Sequence, residues 1–131
     1  MSKRILVVED DPNTSMFVQH TLEQEGYQVV SAKDGLEGLK KAEDEHPALI
    51  ILDVMLPGLD GYEVCSRLRL KPETTKLPIL MFSAKARQDD KDAGLRVGAD
   101  DYLFKPADPS EIRAKVGALL GNASEIAHGQ S

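Results

Sequence analysis

The chain has 131 residues, 41% of them hydrophobic and 29% charged, with a formal net charge of -6 and a pI near 5.0. That length suits one domain with a proper core and is too short for two comfortable ones. The acidic balance repels phosphate backbones and no Lys/Arg cluster offsets it, so the chain is not expected to bind nucleic acid directly.

Ile5-Leu6-Val7-Val8 has no polar alternation, as expected of a strand buried on both faces. It is also the longest apolar stretch near the basic start, far short of a signal-peptide core. No run elsewhere is long enough to span a membrane, so a cytoplasmic protein is expected. Asp11-Pro12 reads as an N-cap followed by Pro at the first helical position. Phe17, Val18, Thr21 and Leu22 recur as one face of that helix, which stops at Gly26. Residues 28–31 form a weak second strand. Asp34 caps a second helix with Leu36, Leu39 and Ala42 expected inward, ended by Pro47.

Leu49-Ile50-Ile51-Leu52 is the third and most hydrophobic strand. Residues 57–61, Pro-Gly-Leu-Asp-Gly, read as a turn, and a third helix follows over residues 62–70, ended by Lys71-Pro72. Cys65, the sole cysteine, sits there beside Val64 and Leu68 as an expected buried thiol, and a lone cysteine excludes internal disulfides and cysteine-based zinc sites. Residues 79–82 form the fourth strand, 88–97 a short charged helix and 102–104 the fifth strand. Asp108-Pro109-Ser110-Glu111 has the form of a capping box. Ile112, Val116, Leu119 and Leu120 then give the inward face of a last helix up to Gly121. The domain is read as residues 3–121. The polar stretch 122–131 is read as a flexible tail or the start of a linker.

Five strands alternating with five helices predict a doubly wound α/β fold, a parallel sheet covered on both faces. Such sheets bind ligands beyond the carboxyl ends of their strands. In this chain those ends carry polar groups: Glu9-Asp10-Asp11 after the first strand, Asp53 after the third, Ser83 after the fourth and Lys105-Pro106 after the fifth. Packed carboxylates repel one another unless positive charge sits among them. Hard oxygen donors suit Mg²⁺, and a lysine opposite adds a second positive charge. A divalent cation, a lysine and a hydroxyl donor can neutralise a phosphoryl group during transfer, with a carboxylate as nucleophile.

These segments resemble the response-regulator receiver domain of two-component, or phosphorelay, signalling, of which the single-domain chemotaxis regulator is an example. Residues 5–12, Ile-Leu-Val-Val-Glu-Asp-Asp-Pro, look like its acidic motif, and residues 52–61, Leu-Asp-Val-Met-Leu-Pro-Gly-Leu-Asp-Gly, like its phosphorylation-site motif. Ser83-Ala84 resembles its hydroxyl step, and Lys105-Pro106 its lysine with a following cis-proline. The likeness covers roughly residues 3–120. It implies the flavodoxin-like strand order 2-1-3-4-5. It also implies that Asp53 is the phospho-acceptor, that Asp10 ligates Mg²⁺ directly, that Glu9 helps through bound water and that the Met55 backbone carbonyl completes the set. Ser83 and Lys105 would each hold a phosphoryl oxygen, and Tyr102 would be the switching aromatic of the output face. The donor would be a histidine kinase or phosphotransfer protein. The switched surface of helix 4, strand 5 and helix 5 would meet a downstream protein partner, with an absent output domain as the alternative and phosphorylation-dependent dimerisation as an option. Ala107 stands where many relatives carry Phe, which should loosen packing near the last loop.

Two other readings fare worse. A small-molecule phosphatase using the same aspartyl chemistry needs an acid two residues beyond the nucleophile, where this chain has Met55. The chain is therefore read as no enzyme beyond phosphotransfer to, and hydrolysis from, its own aspartate. A receiver-like module that never accepts phosphate would not need the complete acidic, hydroxyl and lysine set. His20, His46 and His128 show no metal-ligand spacing, and residues 89–92, Asp-Asp-Lys-Asp, read as an exposed helix face.

Overall fold

The computed structural model describes residues 3–121. The expected tail at 122–131, and His128 within it, lie outside the described residues. The elements are β1 (Arg4–Val8), α1 (Pro12–Gln24), β2 (Gln28–Ala32), α2 (Gly35–Glu45), β3 (Leu49–Leu52), α3 (Gly61–Leu70), β4 (Ile79–Ser83), α4 (Gln88–Arg96), β5 (Asp101–Phe104) and α5 (Pro109–Leu119). Every strand pairing is parallel, in the order β2-β1-β3-β4-β5. This is the flavodoxin-like arrangement, with the chain reversing its winding direction between β1 and β3.

The central strands are buried on both faces because alternate residues feed opposite layers. Leu6, Val8, Ile50, Leu52, Ile79 and Met81 pack with Leu39, Val64, Cys65 and Leu68 on one side. Ile5, Val7, Leu49, Ile51, Leu80 and Phe82 pack with Val18, Leu22, Ile112 and Val116 on the other. Local chemistry sets the helix starts. Asp11 accepts from Thr14 N at 3.1 Å, Asp34 from Glu37 N at 2.8 Å and Asp60 from Glu63 N at 3.0 Å, each satisfying an otherwise orphaned helix donor.

Some sequence expectations shift. Leu36 was placed inward but is 66% exposed. The inward stripe of α2 is instead Gly35, Gly38, Leu39 and Ala42. Gly38 lets this helix sit so close to β1 that a Cβ there would lie 2.9 Å from a Val8 methyl. Leu36 is one step, about 100°, around the helix from that contact. Phe17 was likewise placed on the inward face of α1, yet it is 38% exposed while Val18, Thr21 and Leu22 are buried. Leu119 and Leu120 are only half-buried against the second layer. The third helix begins at Gly61, inside the expected turn, because Asp60 caps it.

Cys65 is fully buried, and burial pushes its thiol up to about 11, with the Arg69 charge opposing. Attack by a thiol reagent needs both exposure and thiolate. At pH 8 the folded protein is therefore expected to react with an aromatic disulfide reagent at least about a thousandfold more slowly than the urea-unfolded chain. Comparable rates would mean that α3 opens freely.

Candidate functional site

The carboxyl ends of β1, β3, β4 and β5 open on one edge of the sheet, and they bring the expected polar residues together. Glu9 and Asp53 each retain 5% exposure, and Ser83 retains none. Asp10 is exposed at the rim. Glu9, Asp10 and Asp53 each offer a carboxylate oxygen within 4.8 Å of the others.

Backbone pairing fixes these positions. Asp53 N donates to Val8 O at 3.1 Å, continuing the β1–β3 ladder one step beyond the strands. Lys105 N donates to Ser83 O at 2.9 Å, which does the same for β4 and β5. The Lys105–Pro106 peptide is cis. Lys105 then reaches back across the edge. Its Nζ lies 2.6 Å from Glu9 Oε1 and 3.1 Å from Asp53 Oδ2, with the Phe82 ring centre 5.4 Å away. Asp53 Oδ1 accepts from Met55 N at 3.0 Å, and Glu9 Oε2 accepts from Asp11 N at 3.0 Å.

Burial raises the Glu9 pKa above its ordinary value, despite the opposing Lys105 and Asp11 hydrogen bonds. Burial alone would depress the Lys105 pKa, but its bonds to Glu9 and Asp53 outweigh burial and the net direction is upward. One ammonium therefore faces three carboxylates. Hard oxygen donors gathered with net negative charge suit a small divalent cation, so Glu9, Asp10 and Asp53 could hold Mg²⁺.

The Glu9–Lys105 ion pair was not anticipated from sequence. The longer Glu9 side chain spans the site and binds the lysine more closely than Asp53 does, at 2.6 Å against 3.1 Å. The signal available was its extra methylene beside a strand-end lysine, which becomes meaningful only once β1 and β5 share an edge.

Ser83 Oγ accepts from Lys85 N at 3.2 Å. Tyr102 is buried and its hydroxyl donates to Lys85 O at 2.7 Å, so it points inward. Its ring meets Phe104 edge-on at 5.5 Å. Met55, two residues beyond Asp53, is 55% exposed. Ala107 is half-buried, and a groove of about 270 Å³ lies beside it, lined by Thr14, Phe17, Phe82, Lys105, Pro106 and Ala107. His20 and His46 are exposed and lie outside the acidic cluster. Among the described residues no helix is long and apolar enough to cross a membrane.

Fold and site together define a doubly wound α/β protein with a cation-competent carboxylate cluster around a buried, lysine-paired aspartate. Residues 5–117 match the family model of the response regulator receiver domain, and the chain belongs to that family, the receivers of two-component systems. It is 53% identical over 127 residues to the alkaline phosphatase synthesis transcriptional regulatory protein PhoP of Bacillus subtilis (strain 168), covering 97% of this chain and 52% of that protein. It is 46% identical over 123 residues to the DNA-binding dual master transcriptional regulator RpaA of Synechocystis sp., covering 94% of this chain and 51% of that one. The chain thus spans about half the length of these relatives. Among solved structures, Vibrio cholerae chemotaxis protein CheY4 matches with a TM-score of 0.86 and 32% identity, over 91% of this chain and 99% of that one. The receiver domain of a sensor histidine kinase from Pseudomonas aeruginosa PAO1 was solved with a magnesium ion coordinated in its active-site cleft. It matches with a TM-score of 0.86 and 31% identity, over 92% and 99% of the two chains.

Proposed function

We propose that Asp53 accepts a phosphoryl group from the phosphohistidine of a histidine kinase or phosphotransfer protein, and that the phosphorylated chain changes its surface for a downstream partner. The observation that carries this reading is the placement of Asp53, buried at the sheet edge with Lys105 Nζ 3.1 Å from one carboxylate oxygen and Met55 N 3.0 Å from the other. Both contacts orient the nucleophile before the donor arrives. An Asp53 oxygen forms the new P–O bond as the P–N bond to the donor imidazole breaks, and the imidazole leaves with the electron pair and takes up a proton. Glu9, Asp10 and Asp53, with the Met55 carbonyl, would hold Mg²⁺, whose charge would offset that gathering on the phosphoryl oxygens. Lys105 and Ser83 would each hold one of those oxygens. The chain's chemistry is confined to its own aspartate, so it is no enzyme toward other substrates.

Output is assigned to the face of α4, β5 and α5, which adjoins Ser83 and Lys105 through Tyr102. A separate protein is one recipient. A second reading is that output passes to a domain outside this sequence, favoured by the relatives' double length and by their names as transcriptional regulators.

Incubation with acetyl phosphate and Mg²⁺ should add one phosphoryl mass to the intact protein. Asp53→Asn should lower the labelling by at least about a hundredfold, as should chelation of the metal from the unaltered protein. Full labelling of the variant would sink the assignment.

A further inference from the structure

Of the helices, α4, which forms part of the proposed output face, has the fewest buried residues. Of its residues Gln88–Arg96, only Gly94 is buried. Gly94 is where α4 touches the sheet layer, and a Cβ there would lie 2.7 Å from Met81 Sδ and 3.0 Å from Tyr102 Cδ2. The bare backbone of α4 therefore rests on the inward Tyr102 ring and on Met81. So small an apolar contact leaves the seat dependent on polar ties.

Two tyrosine hydroxyls supply such ties. Tyr102 donates to Lys85 O at 2.7 Å, in the loop that leads into α4. Tyr62, half-buried on α3, donates to Asp90 O at 3.1 Å, in the first turn of α4. Tyr62 was read from sequence only as the start of a helix. In the structure its hydroxyl ties α3 to the first turn of α4, while that of Tyr102 holds Lys85, whose N–H donates to Ser83 Oγ at 3.2 Å at the acidic edge.

We propose that Tyr62 is a positioning residue that latches α4 in its resting seat over the inward Tyr102, and so sets how readily the domain leaves the resting conformation. This inference rests on the phospho-accepting reading of Asp53 for its regulatory consequence, while the latch itself stands on the Tyr62–Asp90 bond. Loss of the hydroxyl removes one hydrogen bond from the resting state and leaves the aromatic packing of Tyr62 against the core in place. A conformation in which α4 has moved loses nothing by that change, so its share of the population rises.

The test is Tyr62→Phe, measured first without any phosphodonor. Amide hydrogen exchange over Gln88–Arg96 should quicken about fivefold, the factor expected for one net hydrogen bond, while α1 and α5 stay unchanged. Labelling by acetyl phosphate with Mg²⁺ should quicken by a similar factor. Unchanged exchange in α4, or an equal increase across the whole domain, overturns the latch. Faster exchange in α4 with labelling no quicker than in the unaltered protein overturns its coupling to the site. Failure of the underlying reading looks different: the unaltered protein would take no label at all, while the exchange result would still decide the latch. Gly94→Ala gives an independent check, since its added methyl meets Tyr102 and Met81 directly. It should also quicken exchange in α4, and protection equal to that of the unaltered protein would count against the seat described.

Discussion

Replacing Gly61 by alanine is expected to cost the domain about 3 kcal/mol of stability, at the upper end of ordinary overpacking, and to disable Asp53 in the same stroke. The added methyl would collide with the Asp53 carbonyl oxygen and would lie 2.8 Å from Val54 Cα. Both are backbone atoms, so no side-chain rotation relieves the clash. Nor is the backbone free to retreat. Asp53 N is bonded to Val8 O at 3.1 Å, and Gly61 N to Val54 O at 2.9 Å. The glycine is the first residue of α3, held by the Asp60 cap. Relief must come from pushing either α3 or the end of β3, and the second carries the nucleophile. Urea unfolding should show a lower midpoint with an unchanged slope, and acetyl phosphate labelling should fall with it. Gly58→Ala is the contrasting case. Gly58 has φ +72 and nothing within 4 Å of its Cβ position, so its cost is the left-handed backbone alone, about 1 kcal/mol. If Gly61→Ala cost no more than Gly58→Ala, the loop after β3 would be soft, and Asp53 would not be held as described.

Lys105→Ala is expected to destabilise the metal-free domain by about 3 kcal/mol, because it strips the cation from a buried cluster. Lys105 is 18% exposed at its side chain, while Glu9 and Asp53 are 4% and 6% exposed. Removing the ammonium leaves two nearly buried carboxylates facing each other, and burial already disfavours the charged form of Glu9. Mg²⁺ should restore most of the loss in the variant, because it supplies positive charge to the same oxygens and binds the folded state preferentially. Thermal unfolding with and without millimolar Mg²⁺ would measure both effects. Equal stability of variant and unaltered protein without metal would show that the ion pairs are offset by their desolvation. The unaltered protein should show the same dependence through pH. The folded-state pKa of Lys105 is raised above its ordinary 10.5. Its contribution is therefore complete below that value and is lost as pH rises through the folded-state value.

Much of the architecture was legible in the residues alone. The runs at 5–8, 49–52 and 79–82 lack polar alternation, which only strands buried on two faces tolerate, and the helices announce themselves by Asp11, Asp34 and Asp108 caps. The polar residue closing each run identified the candidate site, because a parallel sheet must bring those ends to one edge. These are local patterns and need no knowledge of the packing. The strand order came from the family resemblance, since periodicity does not say which strands are neighbours.

Tertiary structure decided what depends on distance across the fold. Leu36 and Leu39 look equivalent by hydrophobicity, but the close approach permitted by Gly38 rotates α2 so that only Leu39 is covered. Arg69 is a charged residue near the end of α3. It lies at a knot, donating to the carbonyls of Gly98, Thr74, Thr75 and Leu77 and pairing with Asp100, which itself accepts from Ile79 N at the start of β4. Glu9 and Lys105 are 96 residues apart in sequence and 2.6 Å apart in space. Tyr62 and Asp90 meet only because α3 and α4 pack on the same face of the sheet. The sequence by itself determined which residues could be strands, caps and acidic ligands, because those properties reside in neighbours along the chain. Which charges pair, which helix face is covered and which hydroxyls tie α4 down were decided by packing, because side chains of one type become distinct only through what surrounds them.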